Sequence, residues 1–373
     1  MSIPLPILLL ASGFLGVGSW LSWRLGVFVR PQTVTLAGMS RLSGLGAVIT
    51  LLLACDIASG QPIDLEAQVR KLAASSPGTL GVRIVHVESG AGVSLNQAEW
   101  FPMMSVYKLP IAIHALRQAE QGKLDLARSI KVTSEDRRPG LSPLARQIAE
   151  KGPVSLTVRE LISSVMRISD NTASDALLKA AGGPKAVSAT LGELGIHGVD
   201  VSRYELEFAA DYHGVCCLEQ MRPFSLERFI EAVERVPPET RRKAAHAFVT
   251  DRRDSAQPDG MADLLVRLTR GELLNAEHTR WLLDEMAEMH TRDTRIRAGL
   301  PPGTRASLRP GTSGETGGIR AAHNDNGVIV LPGNRGHLVI AAFMKNARGT
   351  EEKRDAALAE VARAAYRWAI ERR

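Results

Sequence analysis

Cysteine is nearly absent from this chain: three residues in 373, at positions 55, 216 and 217. Cys216 and Cys217 are adjacent, so no disulfide framework can be built, and their spacing does not suit zinc. Two free thiols are the expected state of that pair. No run of Lys and Arg interleaved with aromatics occurs, which removes the usual footprint of a nucleic-acid binder. The formal net charge is only +6; Arg24, Arg30 and Arg41 against Asp56 put about +2 in residues 1–60 and leave about +4 for the body. So small an excess suits attraction of small anionic substrates. There is no internal repeat or low-complexity tract. With 45% hydrophobic and 23% charged residues the composition excludes a disordered chain, and the length allows a sizeable core.

Charge is missing altogether from residues 1–23, and the apolar stretch from Ile7 to Trp23 approaches a membrane span. A second unit follows: Met39-Ser-Arg41, an apolar run from Leu42 to Ala54, then Cys55. A basic start, a short apolar stretch and a small-residue exit make a secretory signal. Residues 1–60 are therefore read as an export signal or membrane anchor. Either translation begins at Met39, the favoured reading, or the first segment is a true anchor. Leu52-Leu-Ala-Cys55 also resembles a lipoprotein cleavage box, with ordinary cleavage near Ala58-Ser-Gly60 as its alternative. Both place the body outside the cytoplasm, in the periplasm, with a tether through the N-terminal segment or a lipidated Cys55 as the membrane-bound version.

In the body, residues 63–74 have helical spacing. Leu80–Val87 and Val93–Leu95 alternate as strands around the turn Ser89-Gly90. From Met103 to about Leu283 the pattern is helical, broken by Gly and Pro. Strand signals return at 305–308, 327–331 and 337–344, and a closing helix is expected over 351–371. The fold class implied is α+β: an antiparallel sheet flanked by terminal helices, with an inserted all-helical lobe. Residues 61–102 and 290–373 make the α/β lobe and 103–289 the helical lobe. Within the latter, 212–257 reads as an insertion, a solvated helical hairpin (225–235 and 238–249) beside the cleft.

Four short segments could carry chemistry. In Ser105-Val-Tyr-Lys108 the i, i+3 spacing puts an amine beside a hydroxyl on one helical face. A buried Lys has a lowered pKa and can take the serine proton. Alone, the pair equally describes a capping serine and a surface lysine. Ser169-Asp-Asn171 sits between two apolar helical segments, where it could aim a hydroxyl and an amide into a cleft or merely cap a helix. Leu308-Arg-Pro-Gly-Thr-Ser-Gly314 combines a fixed cation at Arg309 with Gly311, which permits close backbone approach, and the hydroxyls of Thr312 and Ser313. Glu205, within Tyr204-Glu-Leu-Glu-Phe208, could activate water; a lone Glu is more often a solvated surface residue.

The order of these elements is informative. Ser-x-x-Lys, Ser-Asp-Asn 64 residues on, Glu 36 residues later, then a basic-x-Gly strand with Thr-Ser-Gly, resembles the layout of class A serine β-lactamases. The resemblance extends through Phe101–Pro110, Ile168–Leu178 with Gly182-Gly183, and the region from Gly311–Gly314 through Asn324–Pro332, this third region resembling the divergent extended-spectrum branch. It implies hydrolysis of a small β-lactam by a monomer, without metal or organic cofactor. Ser105 would be acylated, Lys108 would act as base or relay, alone or together with Glu205, and Ser169 would protonate the leaving nitrogen. Asn171 would bind the substrate's side-chain amide. The N–H groups of Ser105 and Thr312 would form the oxyanion hole, and Arg309, Thr312 and Ser313 would hold the substrate carboxylate. Glu205 would orient the hydrolytic water. The chain departs from the family in three places: Arg309 replaces the usual Lys, Pro310 replaces Thr or Ser, and Ala209 replaces an Asn that helps hold the water. A D,D-peptidase relative acting on peptidoglycan stems and an inactive ligand-binding homologue are the alternatives.

Overall fold

Strands from both ends of the body meet in one sheet, and the helical lobe is strung between them. The computed structural model describes residues 64–289 and 291–372; the leader expectations, Cys55 included, lie outside the described residues. Helix α1 (Leu65–Ala74) leads to strands β1 (Thr79–His86), β2 (Gly92–Leu95) and the short β3 (Phe101–Pro102). A single 3-10 turn, Met104–Tyr107, then runs into α2 (Lys108–Glu120). The helical lobe continues through β4 (Ser129–Val132), α3 (Pro143–Lys151), β5 (Val154–Thr157), α4 (Val158–Ser163), α5 (Asn171–Ala180), α6 (Pro184–Glu193) and α7 (Glu205–His213). Next come α8 (Leu226–Arg235), α9 (Pro238–Thr250), β6 (Ser255–Ala256), α10 (Pro258–Thr269) and α11 (Ala276–Ala287). The chain returns to the sheet with β7 (Ala306–Thr312), β8 (Glu315–Thr316), β9 (Ile319–Val330) and β10 (His337–Ala347), and closes with α12 (Glu351–Glu371).

The sheet is antiparallel in the order β2-β1-β10-β9-β7, with β8 also on β9. Period-two alternation divides its side chains between two cores. Leu80, Val82 and Ile84 of β1 and Leu338, Ile340 and Ala342 of β10 pack on one face beneath α1 and α12. Val85, Val339, Ala341 and Phe343 point to the other face, into the core of the helical lobe. The axis of that lobe is α2, buried from Lys108 to Leu116. A helix apolar nearly all round belongs in a core, and here it carries Lys108 to the boundary between lobe and sheet.

The α+β architecture agrees with expectation, and two local features need a physical account. Pro310 sits inside a strand, which is tolerated because β7 lies at the sheet edge and pairs only with β9. An edge strand can do without one N–H. The 212–257 segment does form two helices, but α9 is not a solvated arm. Its Ala245, Phe248 and Val249 are buried with Phe208 and Tyr212 of α7 and with Ile319 and Ala321 of β9. The Phe248 ring meets Phe208 and Tyr212 edge-on at 4.8 and 5.4 Å. Such aromatic pairs add about 1 kcal/mol each beyond simple burial. α8 remains largely exposed, anchored by buried Phe229. Among the described residues no helix is long and apolar enough to cross a membrane, and no group of three or more His, Cys, Asp or Glu side chains could hold a metal ion.

Candidate active site

Ser105 lies in the 3-10 turn that opens α2, after Met104, whose left-handed backbone (φ 49°) is costly for a non-glycine residue. The free edge of β7 abuts this turn. A Cβ on Gly311 would stand 2.2 Å from the Met103 carbonyl oxygen, so only glycine lets the strand come this close. Ser169 follows a π-helical turn, Ser164–Ile168, and is itself left-handed (φ 65°); such turns often mark functional sites. Asp170 serves structure: its carboxylate caps α5 by accepting from Ala173 N–H at 3.0 Å and binds Leu144 N–H at 2.7 Å. That cap aims its two neighbours, Ser169 and Asn171, at α2.

They converge on Lys108. Its ammonium, fully buried, lies 2.6 Å from Asn171 Oδ1, 2.8 Å from the Ser169 carbonyl oxygen and 2.9 Å from Glu205 Oε1. Ser105 Oγ and Ser169 Oγ each stand at 3.4 Å. Three acceptors use up the three protons of an ammonium. Passing one to Glu205 leaves an amine whose lone pair can face Ser105. Burial pushes the Lys108 pKa down and the Arg309 charge adds to this, while Glu205 opposes it.

Arg309 does not reach the cavity. Its buried guanidinium donates to the carbonyls of Ser105 (2.8 Å), Val165 (3.0 Å) and Met166 (3.2 Å) and to Ser169 Oγ (2.9 Å). Burial pulls its pKa down to about 10, with Glu205 holding it up. Ser169 Oγ thus accepts from Arg309 and Lys108, which leaves its own proton free to point elsewhere. A hydroxyl between two cations is a strengthened acid.

Glu205 is the first residue of α7, and its N–H donates to Asp175 Oδ1 at 2.7 Å. Asp175 is fully buried and ion-paired with Arg138. Burial lifts its pKa to about 6, against the pull of Arg138. One helical turn beyond Glu205, Ala209 offers no amide to the space in front of the carboxylate.

These groups open onto a cavity of about 590 Å³ walled by Ser105, Ser169, Asn171, Glu205, Thr312 and the strap Pro139–Leu141, among others. Parity along β7 decides which of its residues take part: Pro310, Thr312 and Gly314 line the cavity, whereas Arg309, Gly311 and Ser313 do not. The expectation that Arg309 and Ser313 bind substrate directly is therefore corrected. The Ser313 hydroxyl is buried, donating to the Gly314 carbonyl and accepting from Ala322 N–H. Gly311 contributes closeness rather than contact. The cation on the wall is Arg292, exposed beside Thr291. It was missed because it lies in no motif. Tyr212 was missed too; its hydroxyl donates to the Gly314 carbonyl at 2.7 Å and ties α7 to the end of β7.

A serine, a lysine one turn away and a carboxylate ion-paired to that lysine, between a helical lobe and an antiparallel sheet, are the groups that acyl transfer through a serine requires. Comparison with known proteins narrows the class. The model of the β-lactamase enzyme family matches residues 64–369. The chain is 26% identical to the extended-spectrum β-lactamase PER-1 of Pseudomonas aeruginosa over 84% of its own length and 90% of that protein's. It is 28% identical to the carbapenem-hydrolyzing β-lactamase KPC of Klebsiella oxytoca, covering 79% of this chain and 85% of that one. Among solved structures, a β-lactamase from Chitinophaga pinensis superposes with a TM-score of 0.66 at 26% identity, covering 81% of this chain and 98% of that one. The ancestral class A β-lactamase GNCA superposes at 0.64 with 29% identity, covering 80% and 98%. The chain belongs to the β-lactamase enzyme family, in class A.

Proposed function

We propose that this enzyme hydrolyses β-lactams through an acyl-enzyme on Ser105, released by water that Glu205 activates. The observation that carries the reading is the Lys108 nitrogen, which touches Asn171, Ser169 and Glu205 and faces Ser105 from behind the cavity wall that those residues form. In the acylation step Ser105 Oγ attacks the lactam carbonyl carbon and its proton passes to neutral Lys108. The N–H groups of Ser105 and Thr312 receive the oxyanion. The ring C–N bond then breaks, and the Ser169 hydroxyl, flanked by its two cations, delivers a proton to the nitrogen and takes the one that Lys108 received from Ser105. Lys108 recovers its own from Glu205, which is again a carboxylate. In the second step Glu205 takes a proton from a water that attacks the ester, and Ser105 leaves as that proton is returned to it by way of Lys108. The substrate carboxylate goes to the Thr312 hydroxyl and the Arg292 guanidinium, the hydroxyl and cation at that end of the cavity. The signal-like sequence of residues 1–60 favours work in the periplasm, freely soluble or tethered through the N-terminal segment or Cys55.

Intact-mass tracking of a penicillin adduct tests this. The adduct on Ser105 should form and decay in the wild type. In Glu205→Gln it should form more slowly, since Lys108 loses its proton acceptor, and then persist, because loss of a general base slows the hydrolytic step by about 10² to 10⁴. A stable adduct in the wild type, unaffected by Glu205→Gln, would instead indicate a D,D-peptidase relative; no adduct would indicate a ligand-binding homologue.

A further inference from the structure

The inserted segment leaves one part of the cavity wall and returns to another. It starts where α7, which supplies Glu205, Phe208, Tyr212 and His213 to one wall, ends at Gly214. About ten residues later it meets residues 137 and 138, immediately before the strap Pro139–Leu141 on the other wall. There Arg137 forms an ion pair with Glu227 in the first turn of α8. The Arg138 guanidinium lies 5.2 Å from the centre of the Phe224 ring, and Phe224 in turn packs at 6.3 Å from buried Phe229. Glu227 is oriented for its task by Ser225, whose hydroxyl donates to it at 2.9 Å.

The strap so held is moored to the reacting groups. Asn171 N–H donates to the Leu141 carbonyl at 2.9 Å, and Asn171 Nδ2 donates to the Pro139 carbonyl at 2.7 Å. Arg138 N–H donates to Thr172 Oγ1 at 2.9 Å, and its guanidinium pairs with Asp175, the acceptor for Glu205 N–H. Arg138 is thus shared: one part holds the carboxylate under Glu205, and its face is covered by the insertion. An ion pair to Glu227, which is 61% exposed, contributes little alone. The stacked and largely covered Arg138 contributes more.

We propose that residues 214–235 are a brace. They join the two walls at the Asn171 end of the cavity, fix their spacing, and so limit the size of the substrate substituent admitted there. This rests on the reading of the cavity as the β-lactam site. Phe224 and Glu227 are specificity-determining positions that act through Arg137 and Arg138. Neither lines the cavity.

The test is the Phe224→Ala/Glu227→Gln double variant of the full chain, with Glu227→Gln alone as the milder form. Amide hydrogen exchange in residues 137–141 should quicken by about tenfold in the double variant and less in the single one. Turnover is then compared for two β-lactams with the same nucleus, one with a small acylamido group and one with a bulky one. The bulky substrate should gain about tenfold in kcat/KM relative to the small one, mostly through KM. Unchanged exchange overturns the brace. Faster exchange with an unchanged substrate ratio, or an equal loss on both substrates, overturns its role as a size filter. A wild type that turns over no β-lactam would sink the functional reading, and the exchange experiment would still judge the brace.

Discussion

Replacing Arg309 by Met removes a cation that never touches the cavity and should still damage catalysis. Four hydrogen bonds disappear, to Ser105 O, Val165 O, Met166 O and Ser169 Oγ. At about 1.5 kcal/mol for each bond to a charged donor, the gross loss is about 6 kcal/mol. The charge is answered by carbonyls and a hydroxyl rather than by a carboxylate, so relief from burying it returns several kcal/mol. A net loss of about 2–3 kcal/mol should lower Tm by about 3–5 °C in a body of this size. Chemistry should suffer more. Ser169 loses the 2.9 Å donor that sharpens its acidity, and one such contact at a reacting group corresponds to about 10² in rate. The pH profile should also move. Arg309 helps hold the Lys108 pKa down, and Lys108 accepts the serine proton only when neutral. Without Arg309 the Lys108 pKa rises, so the acid limb of kcat/KM shifts to higher pH. Arg309→Lys keeps the charge near Ser169 but offers three protons from one nitrogen in place of a fork; its loss should stay within about tenfold and its limb should stay put. Steady-state kinetics from pH 5 to 9, with thermal melts as the stability control, decide the matter. If Arg309→Met stays within about threefold of wild type with an unmoved limb, Ser169 needs no cation and the proton path drawn here is wrong.

Two further substitutions probe separate parts of the site. Gly311→Ala sets a Cβ against the Met103 carbonyl oxygen, a backbone atom that cannot swing aside. It should push β7 off the Ser105 turn at a cost of about 2–3 kcal/mol, seen as a lowered Tm together with slowed acylation in a stopped-flow burst. Ala209→Asn restores an amide one turn from Glu205 on the same wall. It should raise the deacylation rate by about tenfold and leave the burst rate alone, as single-turnover mass spectrometry would report; an unchanged decay rate would mean that the water is already held.

Much of this protein is written in local pattern. The closing helix over 351–371 is found where the periodicity predicts it. The alternating strands near residues 80 and 340 pair with each other across most of the chain. The three-residue step from Ser105 to Lys108 survives a 3-10 turn, because i and i+3 neighbour each other in either helix. These features depend on neighbours in sequence, so sequence reveals them. The insertion was visible as two amphipathic segments, yet its second helix turned out to be packed, since burial depends on what α7 and β9 present to it.

The chain by itself thus pointed to Ser105 and its neighbouring amine and to the Glu205 carboxylate, and determined the α+β class and the terminal closure. Which way each side chain faces was decided only in three dimensions. Arg309 and Pro310 are one residue apart, so opposite faces of one strand send the cation to Ser169 and the ring to the cavity. No local rule says which face is which until β9 and the Ser105 turn are in place. Pro310 is tolerable because β7 is an edge, and being an edge is a property of the whole sheet. Arg292, in no motif, reaches the cavity wall because the loop after α11 passes there. Hydrogen bonds between distant segments set these directions, and their geometry exists only once the fold is closed.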